Sequence, residues 1–566
     1  MADRSEGHLV DIPASRGQHF ADTVADRCYQ QYQQLPKEGK PQKGKEWALM
    51  AAVVMTTSGN TANKPSGNHA IADCEIIDVV SIGTGSRCIG KSFLTDKGDI
   101  INDSHAEVLA RRAFISYLYD QLTLVYTDQE SKVLEVTENC RVKVKAGVHF
   151  HFFSSHTPCG DASIFPIAED AMDNTGFKVE NHNTSPCQQT QQDGSHVGTG
   201  GKSHEENIFM NSFQKSELSI SGSRIQNLVA KRKSCYCSEE EIQAKKSRSV
   251  IDETDKGQGD EARKLTEDLH EPKNCNIRED RNPGNLQTQM NQEFAVQSER
   301  DIESAVHPPP EGDIYRTGAK CVPGGEQDSF MAGQDYHTVG LLRTKPGRGD
   351  RTLSLSCSDK LARWNVVGCQ GALLSNFLSQ PIYFDTIVIG SCPYSHDALD
   401  RAVIQRSRGV GPLPPGYRHG NPQLLQSSRL FPDSRTSIEK NFHDSLTPCP
   451  RSITWHCRLV ENFHQVVVNG RRLGATKKMR HVPKVRSKVC SMELFRRYIH
   501  MLEVIPKDKL PLILRSSRQP ADVMYAEYKS MATEYQTAWE CLKKQEIFKS
   551  WVHKPHGLTS FLLDNK

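Results

Sequence analysis

A long polar stretch in the middle of the chain limits how much of it can fold. Residues 174–312 are rich in Gln, Asn, Ser, Glu and Lys and have no sustained apolar period. Only 20 of the 100 residues from 201 to 300 are Val, Ile, Leu, Met, Phe, Trp or Tyr, against 18 of the 50 residues from 351 to 400. Because the polar stretch cannot bury an ordinary core, we predict that residues 174–312 are a disordered insertion within one domain.

The charge of the chain is unevenly spread. The formal net charge is only +3, yet residues 451–500 hold twelve Lys or Arg and two Asp or Glu. Such a segment indicates either a solvated surface or a site for a polyanion such as RNA. The candidate cations for contacts with an RNA backbone are Arg471, Arg472, Lys477, Lys478, Arg480, Lys484, Arg486 and Lys488.

The sequence also argues against membrane and secreted classes. It has no run of 18 apolar residues and no apolar stretch near its start that would suggest a secretory signal. We therefore expect an intracellular protein, in the nucleus and/or the cytoplasm, with no membrane partner and no evident protein partner. Its 17 cysteines are expected to be thiols or metal ligands rather than disulfides.

The local patterns predict an α/β fold. Residues 105–119 carry an apolar helical face, with Asp103 or Ser104 as the expected cap. Further helices are predicted over 359–378, 396–406 and 525–549, and strands over 148–153, 353–356 and 382–389.

Three short motifs together suggest a metal site. His105 and Glu107 open the first predicted helix, and Pro158 and Cys159 follow a strand, with a helix expected next. Cys357 also follows a predicted strand at a helix start, where the helix dipole stabilises a thiolate. One histidine and two thiolates form a three-ligand zinc site, and a nearby glutamate can move the proton of a bound water. This is the signature of the zinc deaminases, although Ala162 stands where the usual second cysteine would lie.

Other histidines and cysteines remain as alternatives to these ligands. His149, His151 and His156 flank the Pro-Cys motif, where packed or exposed imidazoles are the commoner outcome. The remaining cysteine candidates lie in polar or apolar contexts that favour no metal role: Cys187, Cys235, Cys237, Cys369, Cys392 and Cys490.

These motifs resemble the adenosine deaminases that act on RNA. The resemblance rests on the segments beginning Asn102-Asp-Ser-His-Ala-Glu, Thr157-Pro-Cys-Gly-Asp and Ser356-Cys-Ser-Asp-Lys, and it covers about residues 45–172 and 313–556. In that family the third zinc ligand lies in the last of these motifs. The resemblance implies an N-terminal segment over 1–44 and one deaminase domain over 45–556. That domain would have a cytidine-deaminase-like core, a mixed sheet flanked by helices, and would be interrupted by the insertion.

Two further segments resemble the tRNA-specific branch of the family. They are Tyr315-Arg-Thr-Gly-Ala-Lys-Cys-Val-Pro-Gly and Lys345-Pro-Gly-Arg-Gly-Asp. The resemblance implies zinc-dependent hydrolysis of adenosine to inosine at position 37 of alanine tRNA, with His105, Cys159 and Cys357 as ligands and Glu107 as the catalytic acid and base. The alternatives are a deaminase of messenger or double-stranded RNA, a deaminase of free nucleosides, and a non-catalytic RNA-binding scaffold with a structural zinc.

The family resemblance also implies a buried inositol hexakisphosphate. Cations in a core are costly unless they are paired, and a polyphosphate would remove that cost. The matching positions are Asn102, Arg111, Arg112, Lys360, Arg363, Tyr525, Lys529, Tyr535, Trp551 and Lys554. The chain departs from related enzymes at Ala372, Ser491 and Trp539, so fewer phosphate contacts are expected. Asp103 and Lys360 are expected to link the phosphate site to the zinc site by hydrogen bonds.

Overall fold

The fold is built around one mixed β-sheet with helices on both faces. The structure is a computed structural model that describes residues 14–58, 74–167, 312–347, 351–442, 445–458, 461–480, 482–515 and 523–564. Nearly all of the predicted insertion, residues 174–311, lies outside the described residues. The α/β class with a mixed sheet is confirmed, whereas the domain boundaries remain predictions.

The strands of the large sheet are β2 (Met50–Ser58), β3 (Cys74–Thr84), β8 (Val148–Ser154), β13 (Thr386–Ile389), β14 (Gln423–Gln426), β16 (Arg451–His456), β17 (Phe463–Val468) and β18 (Arg471–Arg472). Their order is β14-β13-β8-β2-β3-β16-β17-β18. Strand β13 runs parallel to both β8 and β14, while the other neighbours are antiparallel. Short strand pairs complete the described chain: β1 (Glu46–Trp47), β4 (Ser86–Cys88), β5 (Asp103–His105), β6 (Leu134–Val136), β7 (Val142–Val144), β9 (Phe165–Pro166), β10 (Ile314–Tyr315), β11 (Lys320–Cys321), β12 (Arg343–Thr344) and β15 (Thr447–Pro448).

The described α-helices are α1 (Ala14–Gln34), α2 (Ala106–Tyr126), α3 (Cys357–Val367), α4 (Ala372–Ser375), α5 (His396–Val403), α6 (Arg435–Glu439), α7 (Ser491–Val504), α8 (Leu512–Arg515), α9 (Tyr525–Ser530), α10 (Thr533–Lys543) and α11 (Glu546–Lys549). None of the described helices is long and apolar enough to cross a membrane.

Strand β2 shows how the two faces of the sheet are filled. Side chains alternate along a strand, so Ala51, Val53 and Met55 pack on one side with helix α2. Met50 and Val54 pack on the other side with helix α1. The N-terminal segment therefore supplies a helix to the core, which the sequence analysis did not anticipate.

Helix α2 lies unusually close to strand β3. A Cβ atom added at Gly83 would come within 2.3 Å of the amide nitrogen of Ala110 and 2.4 Å of the carbonyl oxygen of Ala106. Only glycine allows this approach. The contact places the first turn of α2, which carries the candidate acid, directly on the sheet.

Several local predictions need correction. The cap of α2 is His105 with no side-chain cap hydrogen bond, rather than Asp103 or Ser104. Asp103 is used elsewhere, because its carboxylate accepts the backbone N–H and the ring N–H of His105.

The longer predicted elements are shorter or divided in the structure. The helix predicted over 359–378 is split into α3 and α4 at Gly368 and Gly371, which have φ values of 76° and 79°. The helical region 525–549 consists of α9, α10 and α11. The strand predicted over 382–389 is shorter in the structure, where only Thr386–Ile389 forms β13. The strand predicted over 353–356 is not formed, and Leu355 makes only an isolated bridge to Thr344.

Candidate active site and a cation-lined cavity

Two cysteines from distant parts of the chain meet beside the sheet. Cys357 is the first residue of α3, as predicted, and Ser356 caps that helix by accepting the N–H of Asp359. Cys159 follows β8 but leads into a single 3-10 turn, Asp161–Ser163, rather than into the predicted α-helix. The Cys159 sulfur accepts the N–H of Cys357 at 3.4 Å, so the two thiols are adjacent.

The close approach of the two segments depends on Gly160. Its φ of +101° is a conformation that other residues rarely adopt, and an added Cβ would lie 2.3 Å from the Ser356 hydroxyl. A side chain at this position would push the segment of Cys159 away from that of Cys357.

His105 is held by a carboxylate on one side of its ring. Its Nδ1 lies 2.9 Å from Asp103 Oδ1, which fixes the ring and leaves Nε2 as the nitrogen available to a metal. Burial and Lys345 oppose a positive charge on this ring, but the Asp103 carboxylate outweighs them and raises the pKa of His105 to about 10. Since a ligand histidine must be neutral, metal binding here should release a proton.

The charge balance of the two thiols fits a divalent cation. A hydrogen bond from Cys357 and the nearby Lys345 lower the pKa of Cys159 to about 6, against the effect of burial. Burial raises the pKa of Cys357, as does the neighbouring Cys159. One thiolate and one thiol are thus favoured by the protein alone, and a cation is required for both to ionise.

Glu107 faces the same space as these candidate ligands. A cavity of about 240 Å³ is lined by His105, Glu107, His156 and Cys159. Glu107 is only 6 % exposed, on the first turn of α2. Residues 315–318, from one of the segments that resemble the tRNA-specific branch, line the cavity opposite. The structure therefore brings His105, Glu107 and Cys159 to one cavity, with Cys357 buried directly behind Cys159.

Lys345 is the main site residue that the sequence analysis did not assign a role. It is 1 % exposed, and its ammonium donates to Asp103 Oδ2 at 2.9 Å and to the Cys357 sulfur at 2.9 Å. In the sequence, only its position at the start of the segment Lys345-Pro-Gly-Arg-Gly-Asp pointed to a role for it. The Asp103 carboxylate also accepts the Lys360 ammonium and the Ser354 hydroxyl. Asp103 thus connects His105 to Lys360, while the continuation of this link to a phosphate site stays a prediction.

The alternative histidines divide into two kinds. His151 is buried and pairs with the Thr56 hydroxyl, and burial lowers its pKa to about 4. His149 bonds to Asp385 at 2.9 Å. His156 is exposed, as predicted, and its side chain also lines the cavity with Glu107.

A second group of possible ligand atoms lies behind the His105 ring. Atoms of Cys88, Asp103 and His105 all lie within 4.8 Å of one another. The Asp103 carboxylate, however, is already neutralised by the ammonium groups of Lys345 and Lys360. Two ammonium groups so close repel a cation, so this group orients His105 rather than forming the metal site.

A second cavity, of about 170 Å³, is lined by cations and phenols, two of the arginines coming from α2. Six of the predicted phosphate-binding residues line it: Arg111, Arg112, Arg363, Tyr525, Lys529 and Tyr535. Ala372 and Ser491, two positions where the chain departs from related enzymes, line it as well. Trp539 is the third such position, and the Arg363 guanidinium lies over its ring, 4.0 Å from the centre of the ring.

The remaining predicted residues relate to this cavity less directly. The positive charges of Arg112, Lys360 and Lys529 lower the pKa of Lys554. The Arg363 guanidinium lies over the Trp551 ring, 5.7 Å from the ring centre. No contact among the described residues links the side chain of Asn102 to the cavity.

The cations of this cavity have no carboxylate partners among the described residues. Arg111 and Arg112 donate to the backbone carbonyls of Cys369 and Val489, and the buried Nε of Arg363 has no hydrogen-bond partner. Burial lowers the pKa of Arg111 to about 10. The unpaired charges leave a strongly positive interior.

Two more groups report the same positive potential. Although burial alone would raise it, the pKa of Tyr535 is lowered by Arg363, Arg111 and Lys529. Lys554 has accessible side-chain surface, yet burial and the neighbouring cations lower its pKa to about 8. Both observations on Lys554 hold together if its ammonium faces an internal space rather than bulk water.

Only part of the basic segment is available to a partner. Arg471 and Arg486 are buried and pair with Asp99 and Asp564, so the prediction that they contact RNA is wrong. Arg472, Lys478, Arg480 and Lys484 are exposed, as is Lys488, which pairs with Glu493. Nothing is described of the Lys477 side chain.

A buried glutamate beside a histidine and two adjacent cysteines, at the edge of a mixed sheet flanked by helices, is the arrangement of the nucleobase deaminases. Residues 81–555 match the adenosine-deaminase (editase) domain, and the chain belongs to that family. It is therefore an enzyme that deaminates adenosine.

Curated relatives span nearly the whole chain. The tRNA-specific adenosine deaminase 1 of Homo sapiens is 38 % identical, with 96 % of this chain and 99 % of the relative covered. The protein of the same name from Drosophila melanogaster is 26 % identical, with 95 % of this chain and 96 % of the relative covered. The double-stranded RNA-specific editase Adar of Drosophila melanogaster is 23 % identical over 95 % of this chain but only 54 % of its own length.

Proposed function

We propose that the protein catalyses the zinc-dependent hydrolytic deamination of adenosine to inosine in tRNA. The observation that carries the proposal is the buried Glu107 in one cavity with His105 and Cys159. A purely structural metal site, as in a non-catalytic scaffold, would not require an acid in this place.

The choice of tRNA is supported by the relatives of full length. The two relatives named tRNA-specific match this chain from end to end, whereas the double-stranded RNA editase is matched over about half of its length. The segments at Tyr315 and Lys345 support the finer assignment, which is adenosine 37 beside the anticodon of alanine tRNA. A base in an anticodon loop is also less costly to unstack than one in a duplex.

His105, Cys159 and Cys357 would hold the zinc ion, in a core of the cytidine-deaminase type. Bound there, zinc would lower the pKa of a water molecule and so supply a nucleophile near neutral pH. The adjacency of the two thiols supports this ligand set, because a dication beside them would allow both to ionise.

The side chains around the cavity then handle the base and the protons. Glu107 accepts a proton from the attacking water and delivers it to the amine that leaves adenine C6. Residues 315–318 line the same cavity and would contact the base.

We also propose that the cation-lined cavity holds inositol hexakisphosphate as a structural cofactor. The chemistry of the donors supports this: several partly buried cations lack carboxylate partners among the described residues, and the Arg363 Nε is an unsatisfied buried donor. Arg111, Arg112, Arg363, Lys529 and Lys554 would bind phosphate groups, with Tyr535 and Lys360 at the edge of the site. Asn102 is the member of the predicted set with the weakest support.

The catalytic proposal is tested with Glu107→Gln and a matched control. Glu493 is also 6 % exposed and lies on α7, away from the cavity, so Glu493→Gln reproduces the substitution and its burial. Glu107→Gln should reduce inosine formation on folded tRNA about 10²–10⁴-fold or more while zinc content stays constant. Glu493→Gln should remain active.

The substrate class is tested with wild-type protein on three substrates. Inosine yield should be far higher on folded tRNA than on long duplex RNA or free adenosine. Full activity of Glu107→Gln would contradict its catalytic role, and equal activity on free adenosine would contradict the choice of tRNA.

A further inference from the structure

The two candidate metal-binding cysteines share a feature that catalysis does not explain. Each is followed two residues later by an aspartate, in the pairs Cys159–Asp161 and Cys357–Asp359. Both aspartates are fully buried. Buried carboxylates are costly unless they are paired, so each must have a partner that compensates for its burial.

One arginine is shared by both aspartates. The Arg406 guanidinium donates from Nη1 to Asp359 Oδ1 at 2.9 Å, and its Nε lies 3.9 Å from Asp161 Oδ2. The Arg406 side chain is 2 % exposed, so both ion pairs are screened very little by water. Arg401, on helix α5, adds a bond to Asp161 Oδ2 at 3.2 Å from a more exposed position.

The same groups also hold the segment that leads to Lys345. Asp161 Oδ1 accepts the Gly340 N–H at 2.6 Å, and Asp359 Oδ2 accepts the Arg343 N–H at 3.0 Å. Arg406 donates to the carbonyl oxygens of Gly340 and Leu341, both at 3.4 Å. Arg406 is thus connected to all three segments that bring Cys159, Cys357 and Lys345 together.

We propose that Arg406 is a positioning residue that sets the separation of the two metal-binding cysteines. The inference rests on the proposed zinc site and deepens it, because it assigns a role to a residue that touches neither metal nor substrate. The planar guanidinium presents donors in fixed directions, so it can engage two carboxylates and two carbonyls at once. A lysine ammonium at this position keeps the charge but lacks that fixed geometry.

A buried arginine can also be needed only for stability, so the test must separate positioning from folding. Arg486 provides the matched control: its side chain is 4 % exposed and it pairs with Asp564, and neither residue lines the active-site cavity. Arg486→Gln removes a buried guanidinium without touching either cysteine segment. Thermal unfolding of the metal-free proteins reports the loss of stability in each variant.

The experiment measures zinc affinity and the geometry of the metal site in the full-length protein. Wild type, Arg406→Gln, Arg406→Lys and Arg486→Gln are stripped of metal, titrated with zinc against a chelator, and separately loaded with Co²⁺ for absorption spectra. Arg406→Gln should weaken zinc binding about 10–100-fold and shift the Co²⁺ bands. Arg406→Lys should have an intermediate effect, and Arg486→Gln should leave zinc affinity and spectrum unchanged even where it lowers the Tm.

The outcomes distinguish this inference from the proposed function. Wild-type affinity and spectrum in both Arg406 variants would overturn the positioning role while leaving the zinc site intact. Wild-type protein that binds no zinc would instead refute the proposed function, and the positioning role with it. If Arg406→Gln does not fold, Arg406→Lys, which keeps the buried charge, decides the question by the same two measurements.

Discussion

The active-site cavity and the cation-lined cavity lie on the same helix but treat buried charge in opposite ways. In the first, Asp103 is matched by Lys345 and Lys360, and the thiols lie beside those same cations. In the second, Arg111, Arg363 and their neighbours have no carboxylate partner among the described residues. The comparison indicates that the charges of the first cavity suit a cation beside its thiols, whereas those of the second suit a polyanion.

The largest expected effect comes from removing a thiol from the first cavity. Cys357→Ala should lose zinc and bring deamination below detection, because two ligands do not hold the ion. Cys28→Ala is the control, since Cys28 is equally buried but packs with α1 against the sheet. Metal analysis and inosine yield are the measurements. A Cys357→Ala protein that retains stoichiometric zinc would show that the ligand set is wrong.

In the second cavity the sign of a stability change tests whether a polyanion is present. The Lys529 ammonium makes no hydrogen bond among the described residues and lies 5.2 Å from the Tyr525 ring. With a bound polyphosphate, Lys529→Met should lower the free energy of unfolding by about 1.5–3 kcal/mol.

Without a polyanion the same change would remove a repelled cation and stabilise the protein. Lys478→Met, at an exposed position, should have little effect in either case. Denaturant unfolding measures the difference, and mass spectrometry of the denatured wild type should detect inositol hexakisphosphate. A more stable Lys529→Met protein would contradict the proposed cofactor.

A smaller effect concerns pH. For the protein alone, Lys554 has its pKa lowered from 10.5 to about 8, so the unfolded chain binds more protons between these values and stability would rise with pH. A bound polyanion raises this pKa above 10.5 instead, so the stabilising contribution of Lys554 would be lost only at pH values above 10.5. We expect the Tm advantage of wild type over Lys554→Met to stay constant from pH 7.5 to pH 9.5. An advantage that grows with pH would indicate a cavity without an anion.

The smallest effects are expected outside both cavities, at the exposed cations of the basic segment. Arg472→Gln and Arg480→Gln should each weaken tRNA binding a few-fold and reduce its salt dependence by about one phosphate contact. Lys440→Gln, an exposed cation outside the segment, is the control. Binding measured at two salt concentrations gives the slope, and an unchanged slope in both variants would place the RNA on another surface.

Motifs selected His105, Glu107, Cys159 and Cys357, since zinc chemistry restricts which residues can serve as ligands. The structure places three of them, His105, Glu107 and Cys159, in one cavity, while their catalytic and metal-binding roles stay predictions. The bounds of the elements that carry them were predicted less well. The helix over 359–378 was overextended because its apolar period continues through Gly368 and Gly371, where the backbone requires positive φ.

Other features depend on contacts between distant segments, which no local pattern contains. The burial of Lys345 follows from the approach of β12 to α3, more than ten residues later in the chain. The basic segment was overestimated for the same reason, because Asp99 and Asp564 neutralise two of its arginines from far along the sequence. The packing of α1 against the sheet was not predicted, because most residues of this helix are polar and only one face of it is apolar.

The most direct test of the account is the sequence of alanine tRNA after incubation with the purified protein. Wild type should convert adenosine 37 to inosine and leave other adenosines unchanged, and Glu107→Gln should convert none. Unmodified adenosine 37 after incubation with zinc-loaded wild-type protein, or equal conversion by Glu107→Gln, would contradict it.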